Sequence, residues 1–187
     1  MRIVAGVFAA WLGIAAPVSA AWQDLFTGRD LDGWDLQTKA IWKVVDGVIT
    51  VCAGAKGLLT SRGTYQNFEL ELEFKAADDT HSGIMLCSPK EVTNPGSEAY
   101  EVAIAPQSSS YPTGSLAGRM RHDGREYSGW RKLKVKVDAG KVEVWLDGEK
   151  TVDYEDRRPL GWGHIGLEFD RGRAEFRNIR VQKLDLP

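Results

Sequence analysis

The chain has 187 residues, of which 24 are lysine or arginine and 26 are aspartate or glutamate. This length suits one domain that buries a real core, and the slight acidic surplus provides no basic surface to neutralise a phosphate backbone. We therefore expect a single globular domain and no nucleic-acid partner.

The first twenty residues have the organisation of an export signal. Arg2 supplies a positive charge, Ile3–Ala16 is an apolar run, and the small residues that follow permit cleavage after Ala20. The run is too short to span a bilayer comfortably. We therefore expect residues 1–20 to be a signal peptide and residues 21–187 to form one exported domain, periplasmic or secreted, without stable membrane insertion.

An alternation of apolar and polar residues dominates the rest of the chain. Over 68–74 phenylalanine and leucine alternate with glutamate, and the same period of two recurs at 132–137 and 141–146. Asp46-Gly47 and Asp147-Gly148 are typical of type I′ hairpin turns. Further strand-like runs are predicted at Ile41–Val45, Val48–Cys52, Ile84–Cys87, Tyr100–Ala105, His164–Phe169 and Ala174–Leu184. Many short strands joined by regular turns predict an all-β fold, a two-sheet antiparallel sandwich of the jelly-roll type.

Two long irregular segments interrupt this pattern, at 88–97 and 106–129. Both contain proline, glycine and serine, and loops of this length in a compact domain are often functional. They flank the strand that contains Tyr100 and Glu101. We therefore expect the functional site to lie near this strand.

Two carboxylates lie in otherwise apolar strands, Glu101 after Tyr100 and Glu168 after Leu167. A carboxylate on the partly buried face of a sandwich would have a raised pKa, which suits a general base. The alternation of side chains alone leaves open whether each of these two glutamates is a site residue or only the outward polar residue of its strand.

Histidines and tryptophans are the other candidates. His81 and His122 lie near the long loops and, together with a glutamate, can bind a divalent metal ion or polarise a carbonyl. No two histidines have a metal-ligand spacing, so the requirement for a divalent metal ion is left open. Trp145 lies on the outward parity of its strand, where a sugar ring can stack on it.

The two cysteines, Cys52 and Cys87, both fall in strand-like runs. Export permits a disulfide between them, and burial as two separate apolar side chains is the alternative. Their spacing fits no zinc site.

A series of short motifs runs along the chain in a fixed order. They are Asp24–Trp34, Ser82-Gly83-Ile84, Tyr100-Glu101, Gly163–Leu167 and Phe176–Ile179. Together they resemble the 3-keto-disaccharide hydrolase domain family, which has a concanavalin A-like lectin/glucanase jelly roll. The resemblance covers nearly all of residues 21–187, and it implies the same fold and a carbohydrate ligand.

The resemblance also implies cleavage of 3-keto-glycosides and a set of site residues. The implied catalytic residues are Glu101, Glu168 and His81, and the implied substrate-binding residues are Tyr100, Trp130, Arg119 and His122. Glu101 is the expected base, and Glu168 is a second acid or ligand. The stabiliser of the enolate is left open between His81, His122 and Arg119, with or without a divalent cation. Tyr100 and Trp130 would form the platform for the sugar.

Several site positions depart from the family pattern. His81 stands where an asparagine is usual, and Glu168 where a glutamine is usual. Ala103 and Pro106 replace a glutamine and an aspartate, and a common arginine is missing near Cys87. Because the framework matches better than the pocket, a non-catalytic carbohydrate-binding module is the alternative to an enzyme. An interaction module of the cell envelope is a third interpretation.

Overall fold

The computed structural model describes residues 21–37, 39–92, 95–125 and 128–184. The predicted signal peptide, residues 1–20, lies outside the described residues. Within those ranges no helix is long and apolar enough to cross a membrane. The elements in chain order are β1 (Gln23–Asp24), β2 (Trp34–Leu36), β3 (Ala40–Val45), β4 (Val48–Gly54), β5 (Gly57–Ser61), β6 (Phe68–Ala76), β7 (His81–Ser88), α1 (Pro95–Glu98), β8 (Tyr100–Ile104), β9 (Arg131–Asp138), β10 (Lys141–Leu146), β11 (Glu149–Glu155), β12 (His164–Arg171) and β13 (Ala174–Lys183).

The strands form two antiparallel sheets. Sheet A has eight strands in the order β11-β10-β9-β6-β13-β4-β3, with β1 paired to β13. Sheet B has five strands in the order β2-β5-β12-β7-β8. Both sheets contribute their inner faces to one large apolar cluster. The predicted all-β jelly-roll sandwich is confirmed.

Strand β6 shows how the period of two builds this sandwich. Phe68, Leu70 and Leu72 are almost fully buried, whereas the glutamates between them are half-buried. One of these glutamates, Glu71, pairs with Arg180 on the outer face of sheet A. Burying each large apolar side chain contributes about 1.5–3 kcal/mol, so the alternation itself determines which face turns inward. The predicted parity of this strand is confirmed.

The two predicted hairpin turns have the backbone that their sequences favour. Asp46 and Gly47 have φ angles of 49° and 77°, and Asp147 and Gly148 have φ angles of 49° and 86°. Positive φ at both central positions is the requirement of a type I′ turn. These turns fix the registers of β3 with β4 and of β10 with β11.

Sheet B positions the candidate site because its strands also alternate. Val102 of β8 and Leu167 of β12 are fully buried in the core. Successive side chains of a strand point to opposite faces. The neighbours of these two residues, Glu101 and Glu168, therefore both lie on the outer face of sheet B.

The two cysteines are free. Cys52 is exposed on β4 of sheet A, and Cys87 is buried on β7 of sheet B. Cys52 and Cys87 therefore do not form a disulfide, which was one of the two alternatives that the sequence permitted. Burial raises the pKa of the Cys87 thiol to about 12, which keeps it unreactive at neutral pH.

Candidate functional site

Glu101 of β8 and Glu168 of β12 approach each other across strand β7. In the register of sheet B, Gly83 is opposite Glu168, and Met85 is opposite Glu101. Neighbouring strands lie about 4.8 Å apart, so two long side chains can meet above the strand between them. The two carboxyls are joined by a side-chain hydrogen bond. We call Glu101 and Glu168 the carboxyl pair.

Gly83 leaves the space in which the carboxyl pair forms. A Cβ atom at this position would lie 3.1 Å from Cγ and 3.2 Å from Oε1 of Glu101. Ordinary contacts between carbon atoms are about 3.5–4.0 Å, so the side chain of Glu101 packs directly on the glycine backbone. The glycine of the Ser-Gly-Ile motif thus has a direct role in the geometry of the site.

Replacement of this glycine should disturb the pair. Gly83→Ala is expected to push Glu101 away from Glu168 and to lower the pKa of Glu101 by about one unit, because contact with a second carboxyl contributes to its raised value. The pKa can be measured by NMR titration of the labelled carboxyl carbon. Gly161→Ala is the matched control, since nothing lies within 4 Å of a Cβ there. Identical titrations of Glu101 in the two variants would contradict this geometry.

Glu168 has a cationic partner, Lys56. Only 5% of Glu168 is exposed, and its Oε1 lies 2.9 Å from Nζ of Lys56. Lys56 belongs to the turn between β4 and β5 and reaches the outer face of sheet B from there. Burial of an unpaired charge is strongly unfavourable, so the ion pair offsets the cost of placing a carboxylate here.

The two members of the pair differ in their electrostatic surroundings. Burial raises the pKa of Glu101 to about 7, and the negative charge of Glu168 acts in the same direction. The positive charge of Lys56 opposes this rise. Two adjacent carboxyls do not ionise together easily, and Glu101 therefore exchanges its proton near neutral pH.

His81 begins β7, two residues before Gly83, and therefore shares the outer face of sheet B with the carboxyl pair. It is half-buried and stands opposite Arg171 of β12. Burial lowers the pKa of His81, the charge of Arg171 lowers it further, and nearby carboxylates including Asp170 and Glu168 oppose the shift. At neutral pH the imidazole is therefore mostly uncharged. The structure thus places the three residues expected to be catalytic, namely Glu101, Glu168 and His81, on one face of sheet B.

The structure corrects the expected role of Tyr100. Its side chain is fully buried on the inner face of β8, and its hydroxyl donates to Oδ2 of Asp156 at 2.9 Å and accepts from the Leu160 amide at 3.1 Å. The ring is inaccessible to a sugar. Its function is to hold the loop after β11 against the core.

Arg119 also supports β8. Its Nη1 donates to the carbonyl of Ala99 at 3.0 Å, and its guanidinium lies 4.6 Å from the centre of the Tyr100 ring. These contacts stabilise the start of the strand that carries Glu101. They give Arg119 a structural role, and its contact with substrate stays a prediction.

Trp130 lies apart from the carboxyl pair, which corrects a further expectation, whereas the role expected of His122 stays a prediction. The Trp130 ring stacks 3.9 Å below the guanidinium of Arg177, which pairs with Glu73 on the outer face of sheet A. Trp130 is therefore on the opposite side of the sandwich from the pair. The backbone amide of His122 donates to Oγ of Ser115 at 3.0 Å, inside the long loop before β9.

The connection between β7 and β8, predicted as a functional loop, covers part of the same outer face. Val92 packs there on a small apolar cluster formed by Leu58, Met85 and Ala99. Lys90 anchors this connection to β2, since its Nζ lies 2.9 Å from Oδ2 of Asp35. This apolar cluster therefore borders the carboxyl pair on one side.

Sequence reasoning missed Lys56. Its local sequence, Gly-Ala-Lys-Gly, is that of an ordinary surface turn and contains no pattern that indicates a site. Only the pairing of β5 with β12, which places Leu58 opposite Glu168, brings the preceding lysine to the carboxyl pair.

Two other features bear on ligand binding. Within the described ranges, no three histidine, cysteine, aspartate or glutamate side chains are grouped so as to hold a metal ion.

A groove of about 960 Å³ lies along sheet A and is lined by Trp145, Lys134 and Arg180 among others. Trp145 is half-buried there, with the amino groups of Lys134 and Lys150 5.8 Å and 5.1 Å from its ring centre.

The family profile described as a 3-keto-alpha-glucoside-1,2-lyase-like domain matches residues 21–182. The chain belongs to this family. The matched segment contains the carboxyl pair, Gly83, Lys56 and His81, so the whole candidate site lies within the 3-keto-alpha-glucoside-1,2-lyase-like domain.

Relatives of this domain are distant in sequence and close in fold. A protein of Bacteroides thetaiotaomicron named 3-keto-disaccharide hydrolase is 23% identical, over 86% of this chain and 78% of its own length. The crystal structure of a candidate glycosyl hydrolase from Parabacteroides distasonis has a TM-score of 0.76 at 19% identity, with 88% of this chain and 94% of that one covered. A carbohydrate-binding module, CBM66 from Bacillus subtilis, has a TM-score of 0.60 at 16% identity, with 81% and 96% covered. At these identities the structures establish the shared sandwich fold.

Proposed function

We propose that this protein cleaves 3-keto-glycosides outside the cytoplasm, with Glu101 as the general base. The observation that carries the proposal is the carboxyl pair on the outer face of sheet B, where burial and the neighbouring Glu168 raise the pKa of Glu101 to about 7. A base is most effective when its pKa lies near the working pH. Membership of the 3-keto-alpha-glucoside-1,2-lyase-like family supports the choice of substrate.

The chemistry requires a base because a ketone at C3 acidifies the proton on C2. Ionised Glu101 removes this proton, and the electron pair of the C2–H bond moves into an enolate with its charge on the C3 oxygen. Re-formation of the ketone then expels the oxygen at C1, which breaks the glycosidic bond and leaves a C1–C2 double bond. Water adds across this double bond, and the product is a free 3-keto sugar.

The chain supplies a group for each proton movement. The proton that Glu101 takes up can be returned by the same carboxyl to the departing oxygen at C1, beside Glu168 in its ion pair with Lys56. The half-buried, uncharged imidazole of His81 can donate a hydrogen bond to the C3 oxygen as charge develops there. A neutral imidazole serves as an electrophile without adding a full charge to the site.

Incubation with a panel of 3-keto-glycosides and their unoxidised parents tests this function. Release of the C1 substituent is expected from the 3-keto compounds only, because the parent sugars have no acidic proton at C2. Parallel reactions with a chelator show whether a divalent cation is needed. Cleavage of the parents at an equal rate, or of no member of the panel, would contradict the proposal.

A non-catalytic carbohydrate-binding module is the second candidate function. The groove on sheet A favours it, because an aromatic ring and a polar rim suit a sugar. Saturable sugar binding without any turnover of the panel would support this alternative.

A further inference from the structure

We propose that Lys56 is a positioning residue of this site, which holds the negative charge on Glu168 and thereby leaves Glu101 as the member of the carboxyl pair that exchanges the proton. The effect of Lys56 on turnover rests on the function proposed above. Its effect on the proton does not, since the geometry of the pair is independent of any substrate.

The first support is the asymmetry of the contacts. Nζ of Lys56 lies 2.9 Å from Oε1 of Glu168, and in the part of the chain that the structure describes no lysine, arginine or histidine forms an ion pair with Glu101. One carboxyl of the pair therefore has a cation beside it, and the other has only the first carboxyl. A shared proton is more stable on the carboxyl that has no cation.

The second support is the burial of Glu168, the carboxyl that is paired with Lys56. Glu168 is 5% exposed, so water cannot stabilise its charge and Lys56 must do so. Lys56 itself is accessible, with 59% of its side chain exposed. A change of this lysine therefore removes charge from the site without opening a cavity in the core.

The third support is that the other charges around Glu101 do not replace Lys56. The charged and titratable groups on the elements around Glu101 are Glu168, Asp170 and Arg171 of β12, His81 of β7, Lys56 before β5 and Arg119 after β8. Arg171 pairs with Asp170, and Arg119 is bonded to Ala99. The charge of Lys56 lowers the pKa of Glu101, whereas the charges of Glu168 and Asp170 raise it.

Two variants test the inference. In the wild-type protein the titration step near neutral pH should appear on the carboxyl carbon of Glu101. In Lys56→Met this step should be divided between the carboxyl carbons of Glu101 and Glu168, because Glu168 has then lost its cation. Glu168→Gln should lower the pKa of Glu101 by about one unit, because it removes the neighbouring negative charge. Both effects are read by NMR titration of the labelled carboxyl carbons.

Lys56→Arg should keep the wild-type titration, since it retains the charge. Lys75→Met is the matched control, because Lys75 forms a similar exposed ion pair with Glu175 on sheet A. A titration step that stays on Glu101 alone in Lys56→Met, or an unmoved Glu101 titration in Glu168→Gln, would overturn the inference. The titration does not need turnover, so a wild-type protein that cleaves no 3-keto-glycoside would contradict the proposed function alone.

Discussion

Glu101→Gln is expected to lower turnover of a 3-keto-glycoside by roughly 10²–10⁴-fold while sugar binding survives, since this is the usual contribution of a general base. Glutamine keeps the shape of the side chain and can still form a hydrogen bond with Glu168. It cannot accept the C2 proton. The measurement is kcat and KM on the best substrate of the panel, together with calorimetric binding of an unreactive analogue.

Glu71→Gln is the matched control for this variant. It makes the same chemical change on the outer face of sheet A, where Glu71 pairs with Arg180, and turnover should stay at the wild-type level. A Glu101→Gln protein with undiminished turnover would remove Glu101 from the mechanism and make Glu168 the candidate base.

Leu72→Ala is expected to reduce the free energy of unfolding by about 2–5 kcal/mol, because it leaves a cavity in a core that does not fully relax. Leu72 is 2% exposed, and it stands opposite Leu133 in the register of β6 with β9. The measurement is a urea unfolding curve with an unchanged slope.

The neighbouring variant Glu71→Ala should reduce the free energy of unfolding by no more than about 1 kcal/mol, because it removes only a surface ion pair. The Glu71 and Arg180 side chains are 30% and 48% exposed, so solvent screens their interaction. Equal losses in Leu72→Ala and Glu71→Ala would mean that β6 does not turn its leucines inward.

Much of this fold could be predicted from the sequence, because half-buried strands show their inner and outer faces as a period of two. Strand β6 is the clearest case. Strand β5 escaped prediction for the opposite reason: all of its residues are buried, so Gly57–Ser61 shows no alternation. Strand β11 was missed because Glu149–Glu155 is mainly polar, and its pairing with β10 defines it.

The candidate site was less predictable, because strand order brings distant residues together. Nothing near Glu101 in the sequence indicates that β12 lies two strands away, with Glu168 displaced from Glu101 by only two residues along β7. The expectation that Tyr100 contacts the sugar was wrong, and the alternation of side chains along the strand explains why. Adjacent residues of a strand point to opposite faces, so Tyr100 and Glu101 cannot both face one ligand.

The carboxyl pair has a consequence for the stability of the molecule as a whole. The pKa of Glu101 rises from an ordinary value of 4.5 to about 7 on folding, chiefly because the group is buried. Between these two values the folded chain holds a proton that the unfolded chain has released, so the contribution of Glu101 to stability falls as the pH rises through this window. Folding is therefore linked to proton uptake, and the pH at which Glu101 becomes an active base is also the pH at which it most weakens the native state.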